Sequence, residues 1–176
     1  NGPRSILTSN GLVYVGNYFS DNLNIIDPEK SEVKILQDLQ LGKQQDPDKA
    51  RLGEMYFNDA SYCFQNWQSC NGCHPDNARV DGLNWDLLKD GIGNPKSCKS
   101  MLMAHKTPPA MITGIRPDAE TAVRAGFEHI QFTRVDEDIL EAVNTYLLSL
   151  EAIPSPFLQN GKLSYEANQG KIVFEN

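Results

Sequence analysis

Five residues, Cys70-Asn71-Gly72-Cys73-His74, restrict what this 176-residue chain can become more than any other stretch. Two thiols separated by two residues and followed at once by an imidazole form the C-x-x-C-H pattern. In it each sulfur adds across one vinyl group of a haem while the histidine binds the iron. One tight turn between the cysteines spans the porphyrin edge, and an imidazole beside the second thioether is carried to the proximal face. The pattern predicts one covalent haem c held by Cys70, Cys73 and His74.

Two other chemistries use closely spaced cysteines. A four-thiolate zinc site would need Cys63, Cys70, Cys73 and Cys98, but zinc ribbons bring two close pairs and this chain has one. A thioredoxin-type redox pair sits at a strand-to-helix junction in a βαβ unit, and no such pattern surrounds Cys70. The histidine directly after the second cysteine favours haem over both.

The net charge of −7 argues against nucleic acid or an anionic membrane surface as partner. It suits a protein that meets small molecules or a basic redox partner protein. With 40% apolar and 22% charged residues the chain has enough apolar content for a packed core. No apolar run reaches membrane-spanning length, and no signal-peptide core or initiating Met is present, so the chain reads as a processed protein or a piece of one. Haem attachment of this kind takes place outside the bacterial cytoplasm, which predicts a periplasmic or cell-surface location. In an oxidising compartment the remaining thiols, Cys63 and Cys98, are either a disulfide or two buried free thiols.

Residues 1–43 read as a β-meander. Leu12-Val13-Tyr14-Val15, Leu23-Asn24-Ile25-Ile26-Asp27 and Val33-Lys34-Ile35-Leu36 are short apolar or alternating runs divided by Asn, Asp, Ser, Gly and Pro turns. Tyr14-Val15-Gly16-Asn17, Ser20-Asp21-Asn22 and Ile25-Ile26-Asp27 resemble one repeat of the YVTN-type β-propellers. That resemblance implies the end of a propeller, a blade remnant whose neighbours would precede this chain. The other reading is a small sheet packed on the haem domain.

Residues 44–153 carry helical patterning. Asp46-Pro47 opens a helix to about Asn58 with Leu52, Met55 and Tyr56 on one face, Met55 being core filler. Phe64 and Trp67, just before the haem motif, are placed to wall the porphyrin edge or to fill core. Arg79 is suited to grip a haem propionate, with a solvated surface arginine as the alternative. Asp81, Asn84 and Asp86 offer hard oxygen ligands without the spacing of a calcium loop. Gly91-Ile92-Gly93-Asn94-Pro95 is a loop with no phosphate-binding pattern.

Candidates for the second axial position follow. Met111 leads because the stiff Pro108-Pro109 pair fixes the loop before it; Met103, Met101 and His105 are alternatives. His129 is another, on a helix capped by Asp118 and running through Ile130. There Ala119, Ala122, Val123, Gly126, Phe127 and Ile130 form the apolar stripe and His129 lies roughly 90° from its centre. A second amphipathic helix, opened by Thr133, carries Ile139, Leu140, Val143, Leu147 and Leu150 and stops before Pro154. The helices beginning near Pro47 and Val135 are placed to cross and enclose the haem.

Arg51-Leu52-Gly53-Glu54-Met55-Tyr56-Phe57-Asn58, the C-x-x-C-H, Asp81-Gly82, Thr107-Pro108-Pro109 and Tyr146-Leu147-Leu148-Ser149-Leu150 resemble the first haem domain of the bacterial dihaem cytochrome c peroxidase and MauG-like family. Residues 154–176 resemble the linker and start of a truncated second haem domain. Two signatures of that family differ here: its Arg-Asn-Thr-Pro loop is His105-Lys106-Thr107-Pro108, and its Asp-Gly-Arg has no counterpart near Arg124-Ala125-Gly126. The resulting expectation is a mainly α, cytochrome c-like haem domain with a short N-terminal β-meander, passing single electrons to a redox partner protein or to a second haem domain. The resemblance implies, as an alternative, a peroxidase-like dihaem oxidoreductase acting on hydrogen peroxide. A zinc- or disulfide-stabilised binding module is the third reading.

Overall fold

The computed structural model describes residues 2–30, 34–44, 46–86 and 93–175. Its N-terminal part is an antiparallel four-stranded meander in the order β1-β2-β3-β4: β1 Pro3–Ser9, β2 Leu12–Asn17, β3 Asn22–Ile26 and β4 Ile35–Gln40. Three of these strands follow the predicted runs, although Val33 lies outside the described residues. β1 was not legible, because Pro-Arg-Ser-Ile-Leu-Thr-Ser lacks a clean apolar alternation. Its proline opens an edge strand, where a missing N–H costs no ladder bond. The register places Tyr14 opposite Leu7 and Ile25, and Val13 opposite Thr8 and Ile26. Apolar side chains therefore project from both faces, and Ile6, Leu7, Ile35 and Leu39 are exposed.

The meander docks through the turn between β2 and β3. Arg51 donates from Nη2 to the Tyr18 carbonyl at 2.7 Å and to Asp21 Oδ1 at 2.9 Å, while its guanidinium lies 4.6 Å from the Tyr18 ring centroid. Arg4 and Glu54 add an ion pair at 3.1 Å.

Helix α1 spans Lys49–Asn58, and its cap is Asp48 rather than Asp46: the Asp48 carboxylate accepts from Arg51 N–H at 2.8 Å. Its buried face also differs from the predicted one. Gly53 and Phe57 are buried, whereas Leu52, Met55 and Tyr56 are only half-buried. A side chain at position 53 would meet α5, Glu137–Ser149, head on, since a Cβ there would lie 1.9 Å from the Ala142 carbonyl oxygen. Glycine lets α1 and α5 touch backbone to backbone, and theirs is the principal helix crossing, as expected.

Helix α4, Ala119–His129, is capped by Asp118 as expected. α5 begins later than predicted, after Asp136, where Glu137 and Asp138 place negative charge at the positive end of the helix. Phe57, Ala78, Val123, Phe127, Leu140, Val143, Tyr146 and Leu147 form the core. Two one-turn segments, α2 Cys70–Cys73 and α3 Pro75–Ala78, and a small hairpin of β5 Asn84–Trp85 with β6 Lys96–Ser97 lie beside it. The α6 helix, Tyr165–Glu175, buries none of its residues. The architecture is thus an antiparallel meander followed by a mainly helical core. Among the described residues no helix is long and apolar enough to cross a membrane.

Candidate functional site

The C-x-x-C-H segment folds as the tight turn its spacing predicts. His74 N–H donates to the Cys70 carbonyl at 2.9 Å, closing one helical turn that puts both cysteines and the imidazole on a common segment. Beyond it, Asp76, Asn77 and Ala78 all adopt positive φ, so the chain reverses sharply and brings the Arg79 carbonyl back to the imidazole. His74 Nδ1 lies 3.3 Å from that carbonyl oxygen. A carbonyl beside Nδ1 holds the proton on that nitrogen and makes Nε2 the lone-pair nitrogen, the tautomer that a metal ligand needs. Burial pushes the His74 pKa down, partly offset by the backbone carbonyls of Arg79 and Lys99, which keeps the ring neutral.

Burial likewise raises the Cys70 thiol to about 12 and the Cys73 thiol to about 11. Both are therefore neutral thiols and not the low-pKa thiolates of a redox C-x-x-C pair. Among the described residues no three His, Cys, Asp or Glu side chains converge as ligands of an ion.

Cys63 and Cys98 are not joined: all four cysteines are free thiols. Cys63 is buried with its sulfur 3.6 Å from the Gln131 carbonyl oxygen, whereas Cys98 Sγ lies 3.0 Å from the Cys73 carbonyl oxygen and 3.5 Å from His74 Nδ1. Each thiol has been taken up by a different wall of the site. The adjacency of Cys98 to the imidazole, across twenty-four positions of sequence, had no sequence signal.

The other predicted residues are dispersed by the fold. His105 has a side chain only 4% exposed and faces away into the helices, its Nε2 2.9 Å from Asn144 Oδ1 on α5. Met101 packs on the core, and its N–H donates to the Ala78 carbonyl at 2.8 Å. Both are committed to holding the fold. Met103 and Met111 are exposed on positive-φ backbone, and His129 is exposed beside Glu128, 3.8 Å away. Trp67 and Phe64 do not fill core: they are 54% and 57% exposed. Asp81 is engaged by Leu83 N–H and Trp85 Nε1, both at 2.8 Å, and Asp86 by the N–H groups of Gly93 and Asn94, so these carboxylates organise the hairpin loop.

Sequence reasoning missed Gln131. Its side-chain amide lies against Cys70, and its carbonyl accepts from Phe64 N–H at 2.9 Å. Phe132, next to it, is 54% exposed on a backbone φ of 53°. Phe64, Trp67 and Phe132 are thus three exposed aromatic side chains near the haem motif in sequence or joined to it through the Phe64–Gln131 backbone bond. A neutral imidazole with Nδ1 held by a backbone carbonyl and two protonated thiols on the same turn are the donor set a covalently held porphyrin requires, and the residues fit it.

Fold and site together define a c-type-cytochrome-like domain. No protein-family model matches the chain. It is similar to hydrazine synthase subunit gamma of Kuenenia stuttgartiensis, at 30% identity over 138 residues. That match takes in 72% of this chain and 39% of the relative, so the chain spans about two-fifths of that protein's length. A solved structure of Kuenenia stuttgartiensis hydrazine synthase pressurised with xenon has the same fold, with a TM-score of 0.68 at 23% identity over 83% of this chain and 58% of that one. These likenesses overturn both resemblances drawn from short motifs. The relative is neither a MauG-like peroxidase nor a YVTN propeller. A C-x-x-C-H turn with a Thr-Pro-Pro loop marks the kind of domain and not the lineage, and the apolar runs near Tyr14 report a meander of any parentage.

Proposed function

We propose that this chain is the haem c domain of an oxidoreductase subunit of the hydrazine synthase gamma type, working in a multi-subunit redox complex outside the cytoplasm. Cys70 and Cys73 hold the haem by thioethers and His74 is the proximal ligand of its iron. Bound there, the haem supplies one-electron redox chemistry. The protein's part is to bind, orient and desolvate it. The Arg79 carbonyl fixes the His74 tautomer, the exposed Phe64 and Trp67 side chains exclude water from the porphyrin edge, and the Arg79 guanidinium pairs with a propionate. Residues 1–43 are its meander, 44–153 its haem domain, and 154–176 lead on toward a second haem domain.

The observation that carries the reading is the His74 imidazole, anchored through Nδ1 at the end of a Cys-x-x-Cys turn. The likeness to an enzyme subunit supports an oxidoreductase over a simple electron carrier. Exposed Met111 supports the second reading, in which its thioether completes the iron's coordination and the domain only relays electrons.

Exported protein matured with haem-attachment machinery is expected to be coloured, to give a c-type pyridine haemochrome and to carry the mass of one haem. Colourless protein with the mass of the bare polypeptide overturns the proposal. A high-spin ferric spectrum that responds to small ligands supports the enzyme; a low-spin spectrum with a methionine-to-iron band supports the relay.

A further inference from the structure

Gln131 sets a buried side-chain amide against the Cys-x-x-Cys-His turn. The residue is 4% exposed, and three backbone contacts hold it. Its N–H donates to Gly126 O at 3.0 Å, and its carbonyl accepts from Phe64 N–H at 2.9 Å and from the Cys63 thiol at 3.6 Å. In one orientation of its amide, Nε2 donates to Cys70 Sγ at 3.1 Å. With O and N exchanged, Oε1 accepts from Cys70 N–H at 3.2 Å and Nε2 donates to the Tyr62 carbonyl at 3.2 Å, which satisfies both ends of the amide. In either orientation the amide lies against Cys70.

The turn needs such a partner. A single helical turn does not stabilise itself, because fixing its dihedrals costs more than its few hydrogen bonds return. Its N-cap, Ser69, makes no side-chain hydrogen bond to the exposed N–H groups. In the orientation that satisfies both ends of the amide, Gln131 Oε1 takes over that capping from across the chain, at the N–H of the cysteine that opens the turn. Cys73 has a different neighbour, Gln68 Oε1 at 3.5 Å.

We infer that Gln131 is the positioning residue for the Cys70 half of haem attachment: its buried amide fixes the first residue of the Cys-x-x-Cys-His turn so that the Cys70 sulfur is presented to one haem vinyl group. This rests on the haem reading above. The step it serves is an addition. The S–H bond and the vinyl π bond break, a C–S bond forms at the carbon next to the ring, and the hydrogen ends on the terminal carbon, with no net oxidation. Gln131 orients the thiol and takes no part in the bond changes.

The test uses the full chain exported with haem-attachment machinery, in four forms: wild type, Gln131→Met, Cys70→Ala, and the double variant. Methionine keeps the unbranched shape and removes the amide. The readouts are the fraction of haem-loaded protein whose Cys70 remains a free thiol, by peptide mass mapping, and the position of the pyridine-haemochrome band, which separates one thioether from two. In Gln131→Met the free-Cys70 fraction is expected to rise about tenfold over wild type, while the double variant loads haem through Cys73 as well as Cys70→Ala alone. Two thioethers at the wild-type fraction in Gln131→Met overturn the inference. So does an equal loss of loading in the Cys70→Ala background, which marks Gln131 as general scaffolding. A colourless wild type overturns the haem reading itself and is told apart by that control.

Discussion

Ala78 has no exposed surface and a backbone φ of 59°, the third of three consecutive left-handed residues that turn the chain back after His74. A methyl group is the largest side chain this position takes easily, because a β-branched residue is a strong outlier at positive φ and the core leaves no room. Ala78→Val is expected to cost about 3 kcal/mol, from overpacking plus backbone strain, measured by urea unfolding of the exported protein. The same substitution should loosen the Arg79 carbonyl from His74, since residue 79 is delivered by that reversal. At Met111 the expected outcome depends on which reading of the iron holds. Met111→Leu abolishes the methionine-to-iron band and lowers the reduction potential if the thioether is the sixth ligand, and leaves the spectrum unchanged if the haem is five-coordinate. Side chains such as Gln131 and Cys98 act at this scale too, although nothing in their local sequence marks them. A lone glutamine and a lone cysteine acquire meaning only from what the fold places beside them.

Among the elements, the crossing of α1 and α5 holds the helical core together, with Phe57 and Tyr146 packed at ring centroids 5.4 Å apart. Gly53→Ala drives a methyl into the Ala142 carbonyl and the Tyr146 Cβ, so the helices must separate. The expected cost is about 3 kcal/mol, read as a lowered denaturation midpoint with both helices retained. The start of α4 carries a pH dependence. Thr121, by its side-chain and then its backbone hydrogen bond, holds the Asp118 carboxyl below its ordinary value of 3.8, with His105 adding to the shift. A depressed carboxyl stabilises the fold fully above the unfolded value and loses that contribution as pH falls through the lowered folded value. Denaturation midpoints should therefore drop in wild type as pH falls below the ordinary carboxylate range and through the lowered Asp118 value, and Asp118→Asn, which keeps an acceptor at the cap, should flatten that drop. The caps show how far elements could be read. Asp118 was evident because an apolar stripe begins directly after it, whereas Asp46-Pro47 and Thr133 are helix-start signals passed over for Asp48 and Asp136. Several polar residues in a row can each cap, and packing of the first turn selects one.

At the scale of the whole molecule, the meander and the helices are tied by the Arg51 cluster and the Arg4–Glu54 ion pair. Arg51→Ala removes a cation–π contact, an ion pair and a hydrogen bond to the Tyr18 carbonyl. The expected result is faster amide hydrogen exchange in the turn between β2 and β3, with exchange in the helical core unchanged, and a loss of about 1 kcal/mol in docking. Arg51→Lys should rescue little, because an ammonium supplies neither the stacking plane nor the fork. Sequence by itself determined which donors share the turn, Cys70, Cys73 and His74, because their spacing along the chain is covalent. It also determined the meander and the two amphipathic helices, whose periodicity is a local property. Only the tertiary structure decided which methionines and histidines stay open, which are absorbed by the core, and which distant residues wall the turn. Those outcomes depend on long-range packing: His105 was claimed by Asn144, Cys98 was brought to His74, and Gln131 was set against Cys70 by contacts that no short window of residues encodes.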